Sequence, residues 1–256
     1  MIERHIHAHD VCEIRLARPP VNALNPELLN ALSEAVNIAP HEGARSLILS
    51  GAPGVFSAGL DVPYLLTLDR TGLDQAWRSF FRACAALACS KIPVACAITG
   101  HSPAGGAVLS LYADYRVMAE GEFRIGLNET QVGLIIPESI HFALRRLVGA
   151  HRAERLTMSG AMIDASQALR IGLVDELAPP DQVIARARNW AEQHNQLPRS
   201  AMLGNRAIAR RDLVEATGNP EQVDLSQFLD AWFSDETQAV LQAMVARLRA
   251  KREQGG

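Results

Sequence analysis

The stretch PVACAITGHSPAGGAVLSLYADYRVMA, residues 93–119, decides the fold class. It opens on Pro93 to Ile98, apolar at every position. Such a run is too short for a helix and suits a strand buried on both faces. Small residues follow through Ala104, and then Gly105 to Tyr112 reads as a helix of small and apolar residues. Tyr115 to Ala119 is strand again. Strands recurring between helices predict an α/β chain with a mostly parallel, buried sheet.

The pattern extends outward in both directions. Val11 to Leu16 and Ser46 to Ser50 read as strands, the second closed by Gly51-Ala52-Pro53-Gly54. Pro26 to Val36 has helical spacing of Leu28, Leu29, Leu32 and Val36, and Gln75 to Ala88 is helical. From Glu138 onward the chain turns helical, over 140–147, 151–158, 165–171, 181–194, 198–215 and 222–251. The expected division is a core over 1–196 and a helical region over 197–256, parted at Gln196-Leu197-Pro198. The last helix carries Leu225, Phe228, Leu229, Trp232, Phe233, Val240, Leu241, Met244, Val245 and Leu248. That stripe is wide for a lone surface helix. It reads as an active-site cover, a subunit contact or ordinary core.

Composition excludes several classes. A chain of 256 residues buries a sizeable core in one domain. With 48% apolar residues, 21% charged and a net charge of −3, it has no electrostatic reason to bind nucleic acid or anionic membrane. No apolar run of about 18 residues is present to span a bilayer. Neither end reads as a targeting signal, so the expected compartment is the cytoplasm. Cys12, Cys84, Cys89 and Cys96 show no CxxC pairing and sit in apolar segments, as reduced core residues do. His5, His7 and His9 alternate as on one face of an N-terminal strand, better read as solvated than as metal ligands.

Three stretches carry the chemistry. Phe56-Ser57-Ala58-Gly59-Leu60-Asp61 follows a strand and a turn, with small residues that let a backbone approach a ligand. Gly100-His101-Ser102-Pro103-Ala104-Gly105-Gly106 puts backbone N–H donors at a helix N-terminus. The third, FRIGLNETQVGLIIPES over 123–139, sets Glu129 amid apolar sequence. A carboxylate there is satisfied or used, because burying one unpaired is costly. Donors from two loops would form an oxyanion hole, with the carboxylate as base. Each stretch also has a plain reading: a packed helix start, a turn, a solvated loop. No GxGxxG after a strand, GxxxxGK[ST] or GxSxG motif occurs.

In order, FSAGLD, PAGG, DYRVMAEGEFRIGLNETQVGL, GAHRAERLTMSG and ALRIGLVDEL resemble the crotonase (enoyl-CoA hydratase/isomerase) superfamily over nearly the whole chain. The PAGG, DYR and IGLNETQ elements look most like its mitochondrial-type Δ3,Δ2-enoyl-CoA isomerase branch. The resemblance implies a crotonase-like spiral of ββα repeats, with a C-terminal helical region used for trimerisation. It implies an acyl-CoA substrate, no metal or redox cofactor, and a homotrimer or dimer of trimers. By motif match, the Leu60 and Gly105 amides would hold the thioester oxygen. Ala58, Gly59, Leu60, Asp61 and Val62 would line the coenzyme A groove, with the adenine near Val21-Asn22-Ala23. Asn128 and Glu129 would face the acyl chain, Glu129 as the base.

The family's hydratases use two carboxylates, the first after a glycine pair where this chain has Val108. Their PGAGGTQ turn is replaced by Ile136-Pro137-Glu138-Ser139-Ile140. Both departures favour isomerisation over hydration. Glu138 reads as a first-turn helix residue, or as the later-turn base of some isomerases. Asp61 looks like a loop-fixing side chain and Asp114 like a structural hydrogen-bond acceptor. Arg249, Lys251 and Arg252 read as cations at a helix C-terminus, or as contacts for a coenzyme A phosphate.

Overall fold

A computed structural model describes residues 1–254, with side chains through residue 250, so Lys251 and Arg252 lie outside the described side chains. The strands are β1 (Ile2–His7), β2 (Val11–Leu16), β3 (Ser46–Ser50), β4 (Gly54–Val55), β5 (Val94–Ile98), β6 (Gly100–Pro103), β7 (Tyr115–Ala119), β8 (Arg124–Gly126), β9 (Ile163–Asp164) and β10 (Glu176–Ala178). The first helices are α1 (Pro26–Ile38), α2 (Val62–Leu65), α3 (Arg70–Ala88) and α4 (Gly105–Leu111). Then come α5 (Glu138–Val148), α6 (Ala150–Ser159), α7 (Ala165–Arg170), α8 (Val183–Asn195), α9 (Arg199–Ala209), α10 (Arg211–Thr217), α11 (Ser226–Trp232) and α12 (Asp235–Gln254).

The larger sheet runs β1-β2-β3-β5-β7-β10 and is parallel beyond its β1–β2 hairpin pair. β3 and β5 are buried at every position, as a sheet covered on both faces requires. A smaller sheet runs β4-β6-β8-β9, with β4, β6 and β8 parallel. The chain visits the two sheets in alternation. A long strand, a short strand and a helix recur as β3-β4-α2, β5-β6-α4 and β7-β8-α5. This is the expected crotonase-like ββα spiral. Close packing fixes the short strands: a Cβ on Gly100 of β6 would lie 2.0 Å from the Gly54 carbonyl carbon.

The C-terminal helices share the core of the spiral. Leu213, Leu225, Phe228, Leu229, Trp232 and Leu241 join one cluster with the α1 and α3 faces, and Phe228 lies 4.1 Å from the Trp77 ring. Phe233, Val240 and Leu248 of the same stripe are exposed. The stripe is therefore part intramolecular core and part free face. Cys12, Cys84 and Cys96 are buried and free as expected, but Cys89 is exposed.

Two predicted helices are broken. The helix expected over 198–215 breaks at Arg210 (φ −103°, ψ 3°). There the guanidinium turns inward to Asp114 Oδ1 at 3.0 Å and donates to the Tyr112 carbonyl at 2.7 Å. Arg206 meets the same carboxylate at 2.9 Å, and Asp114 also accepts the Val94 amide at 2.8 Å. Local helical pattern yields to this long-range ion pair. The helix expected over 222–251 breaks at Phe233 and Ser234, where Ser234 Oγ accepts the Thr237 amide at 3.3 Å and starts α12.

Removing Asp114 takes the carboxylate from two guanidinium groups, the buried Arg210 and the partly buried Arg206. Asp114→Asn is expected to lower unfolding free energy by about 3–4 kcal/mol in urea titration, with α9 and α10 loosening first. A loss of under about 1 kcal/mol contradicts the pairing described.

Candidate active site

The three chemistry-bearing stretches leave the C-terminal ends of three parallel strands of the small sheet. Phe56–Asp61 follows β4, Ala104-Gly105 follows β6, and Leu127-Asn128-Glu129 follows β8. Ala104 N donates to the Gly126 carbonyl at 2.8 Å, which ties the second loop to the third. The first two touch directly. A Cβ built on Gly105 would lie 3.4 Å from Leu60 N, and one on Gly59 would lie 3.3 Å from Gly105 N.

The Leu60 amide is left free by the way its strand pairs. Leu24 bridges Leu60 in parallel, taking the Asp61 amide at 2.9 Å and giving its own N–H to the Gly59 carbonyl at 2.8 Å. The Leu60 N–H points away from that bridge. Gly105 is the first residue of α4, so its N–H has no intrahelical acceptor. Ala104 before it holds φ 45° and ψ −122°, a conformation alanine rarely adopts, costing about 1–3 kcal/mol.

The Val21–Leu24 turn is stitched to the first loop. Ala58 N donates to the Val21 carbonyl at 2.9 Å, and Ser57 Oγ donates to the Asn22 carbonyl at 2.7 Å. Asn22, buried and left-handed at φ 50°, donates Nδ2 to the Phe56 carbonyl at 3.0 Å. Arg18 spans the junction, to the Ala23 carbonyl at 2.8 Å and to Asp61 Oδ2 at 2.6 Å. Asp61 also caps α2 through the Tyr64 amide at 3.2 Å, so its oxygens fix the loop, and Val62 opens that helix. Val21, Ala23, Ala58, Gly59, Leu60, Asp61, Val62 and Gly105 thus form one contiguous wall.

Glu129 opens a 3-10 turn, Glu129–Val132. Thr130 Oγ1 donates to the Thr157 carbonyl at 2.6 Å and Gln131 Nε2 to the Ser159 carbonyl at 3.4 Å, both at the end of α6. Leu134 N closes back on the Glu129 carbonyl at 3.0 Å. The backbone is therefore held, but the carboxyl is not: Glu129 Oε2 is buried with no hydrogen-bond partner among the described residues. Burial pushes its pKa up to about 7, and its own backbone N–H pulls weakly the other way. Asn128 Oδ1, alongside, is also buried and unpartnered.

Glu138 stands apart. It is exposed on the first turn of α5 after Pro137. It lines an open cavity of about 630 Å³ with Ile135, Ile136, His141, Leu225 and Phe228. None of Leu60, Gly105 and Glu129 lines that cavity. Val108 is fully buried on α4.

The enoyl-CoA hydratase/isomerase family model matches residues 7–253. The chain belongs to this family. Its similarity to the human mitochondrial enoyl-CoA delta isomerase 1 is 30% identity over 247 residues, covering 94% of this chain and 81% of that one. A probable enoyl-CoA hydratase of Mycobacterium bovis is 35% identical over 193 residues, covering 75% of this chain and 74% of that one. Among solved structures, human mitochondrial Δ3-Δ2-enoyl-CoA isomerase superposes with a TM-score of 0.92 at 30% identity, covering 98% of both chains. The chain is thus an enzyme of the enoyl-CoA hydratase/isomerase family with the crotonase fold. Among the described residues, no helix is long and apolar enough to cross a membrane.

Arg18, Asn22 and Ser57 shape the wall without having been singled out as site residues in sequence. Asn22 and Ser57 lie inside motifs that were read, whereas Arg18 has no local signature.

The raised Glu129 pKa has a consequence for stability. Between about pH 4.5 and 7 the folded chain keeps a proton that the unfolded chain has released, so stability falls as pH rises through that window. Glu129→Gln removes this loss. The variant is expected to exceed wild type by about 3 kcal/mol near pH 8, the difference closing toward about pH 4.5, in paired urea titrations. Equal stability of the two near pH 8 contradicts a buried, desolvated carboxyl.

Proposed function

We propose that this family member is a Δ3,Δ2-enoyl-CoA isomerase, moving the C3=C4 double bond of an acyl-CoA to C2=C3 in fatty-acid β-oxidation. The observation that carries the reading is Glu129, whose Oε2 is buried with no partner among the described residues and whose pKa desolvation pushes up to about 7. A base with that pKa is matched to proton transfer at neutral pH.

The chemistry follows from the wall and the turn. The thioester oxygen accepts from the Leu60 and Gly105 amides. Glu129 takes a proton from C2, and the C2–H electrons flow onto that oxygen, giving a dienolate. Each preorganised N–H contributes about 3 kcal/mol as the charge develops. The Glu129 carboxyl then returns the proton at C4, the oxygen's electrons collapse back, and C2=C3 remains. One carboxyl serves as base and then as acid, and the step as written calls for no redox or metal cofactor. Val108, on the helix after the glycine pair, brings no second carboxylate to split water. In this reading Ala58, Gly59, Asp61 and Val62 hold coenzyme A, Val21 and Ala23 lie near its adenine, and Asn128 faces the acyl chain. A homotrimer or dimer of trimers is part of the same proposal.

Hydration is the second reading, favoured by the 35% identity to the mycobacterial probable hydratase. A 3-enoyl-CoA and a 2-enoyl-CoA, offered separately, separate the two. Conversion of the first to 2-enoyl-CoA, with negligible 3-hydroxyacyl-CoA from the second, is expected. Glu129→Gln is expected to lower isomerisation by about a thousandfold while coenzyme A binding stays within about threefold. Wild-type isomerisation by that variant contradicts the base assignment. The wild-type rate is expected to rise as pH increases through about 7, because only the ionised carboxyl accepts the proton.

A further inference from the structure

Helix α12 touches both flanks of the site. It packs on α2, which begins two residues after Leu60, and on the 3-10 turn that begins at Glu129. Its third residue, Thr237, is only 2% exposed. Thr237 Oγ1 donates to the Gly133 carbonyl at 2.9 Å, across 104 residues of sequence. Gly133 ends the Glu129 turn in the left-handed region, at φ 77°. A Cβ there would stand 2.6 Å from Thr237 Oγ1 and 3.3 Å from Thr237 Cα. The helix is therefore seated flush on the turn, and a larger residue at either position would part them.

On its other side the turn is tied to the end of α6 through Thr130 and Gln131. No hydrogen bond among the described residues holds Glu129 Oε2. Where the carboxyl stands thus follows from where the turn's backbone stands, and Thr237 is the side chain that bonds that backbone from the C-terminal helix.

We propose that Thr237 is a positioning residue: through the Gly133 carbonyl, α12 sets the placement of the Glu129 carboxyl against the Leu60 and Gly105 amides. The inference rests on the proposed role of Glu129. The hydroxyl is the operative group, because it reaches the carbonyl, while the methyl only fills space. A displacement of about 1 Å at a reacting group costs up to about a hundredfold in rate, so a partial loosening predicts a smaller but clear loss.

The test follows deuterium entering C2 of a saturated acyl-CoA, butyryl-CoA, in deuterated water by NMR. This reads proton removal at C2 whether the enzyme isomerises or hydrates. Thr237→Val keeps the shape and lacks the hydroxyl; Thr237→Ser keeps the hydroxyl. The valine variant is expected to exchange about tenfold more slowly at saturating butyryl-CoA, with half-saturation unchanged within about twofold. Serine is expected to restore the rate to within about twofold or threefold of wild type. Amide exchange of Leu134, whose N–H bonds the Glu129 carbonyl, is expected to quicken with valine and not with serine. Wild-type exchange at C2 by Thr237→Val, or a serine variant as slow as valine, overturns the proposal. Should the valine variant fail to fold, Thr237→Cys takes its place, with a weaker donor of similar size and the same expected direction. Glu129→Gln, run in parallel, separates the two ideas. If it exchanges like wild type, the base assignment fails, while Leu134 protection still decides whether Thr237 holds the turn.

Discussion

The structure is organised around one costly placement, a carboxyl with one oxygen, Glu129 Oε2, buried and met by no hydrogen-bond partner among the described residues. Burying Glu129 disfavours its charged form, and no salt bridge offsets this among the described residues. Such a group persists only where the surrounding backbone is over-determined. The Glu129 turn meets that condition. It is bonded to the end of α6 at two points and seated against α12 at a third. The cost is useful because a carboxyl poised near neutrality accepts and returns a proton with little driving force lost either way.

The same logic runs through the opposite wall. A parallel bridge consumes the amides beside Leu60 and leaves that one N–H unused. The Gly105 N–H follows a strained Ala104 peptide at the start of a helix, where the helix dipole adds positive potential. Arg18, Asn22 and Ser57 tie the Val21–Leu24 turn to the loop that carries the Leu60 amide, and Ala104 N ties the Gly105 loop to the Gly126 carbonyl. The small sheet brings these pieces together, since β4, β6 and β8 end side by side and each delivers one of them. The larger sheet and the α1–α3 layer form the rigid support behind it.

Much of this was legible in sequence, and the exceptions have two causes. The buried strands β3 and β5 announce themselves as short runs without charge, β2 and β7 as apolar stretches interrupted by charged residues, and the ββα spiral follows from the family resemblance. The strands β4 and β6 do not, because two to four residues containing glycine carry no periodicity. Leu60, Gly105 and Glu129 stand out because small residues, a helix start and an isolated carboxylate are local signals. Arg18 and Thr237 lack any such signal. Their partners lie 43 and 104 residues away, at Asp61 and Gly133. The helix break at Arg210 has the same origin, a local helical pattern overridden by a partly buried carboxylate 96 residues earlier. What sequence hides here is long-range polar contact, and strands too short to show a pattern.

The most direct test of this account is the titration of the Glu129 carboxyl itself, followed by carbon-13 NMR with the Glu129→Gln variant to assign its resonance. A midpoint at about 7 is predicted, set by burial. A midpoint near the ordinary glutamate value of about 4.3 would mean that the carboxyl is as well solvated as a surface one, and would contradict the desolvated base on which the proposed chemistry stands.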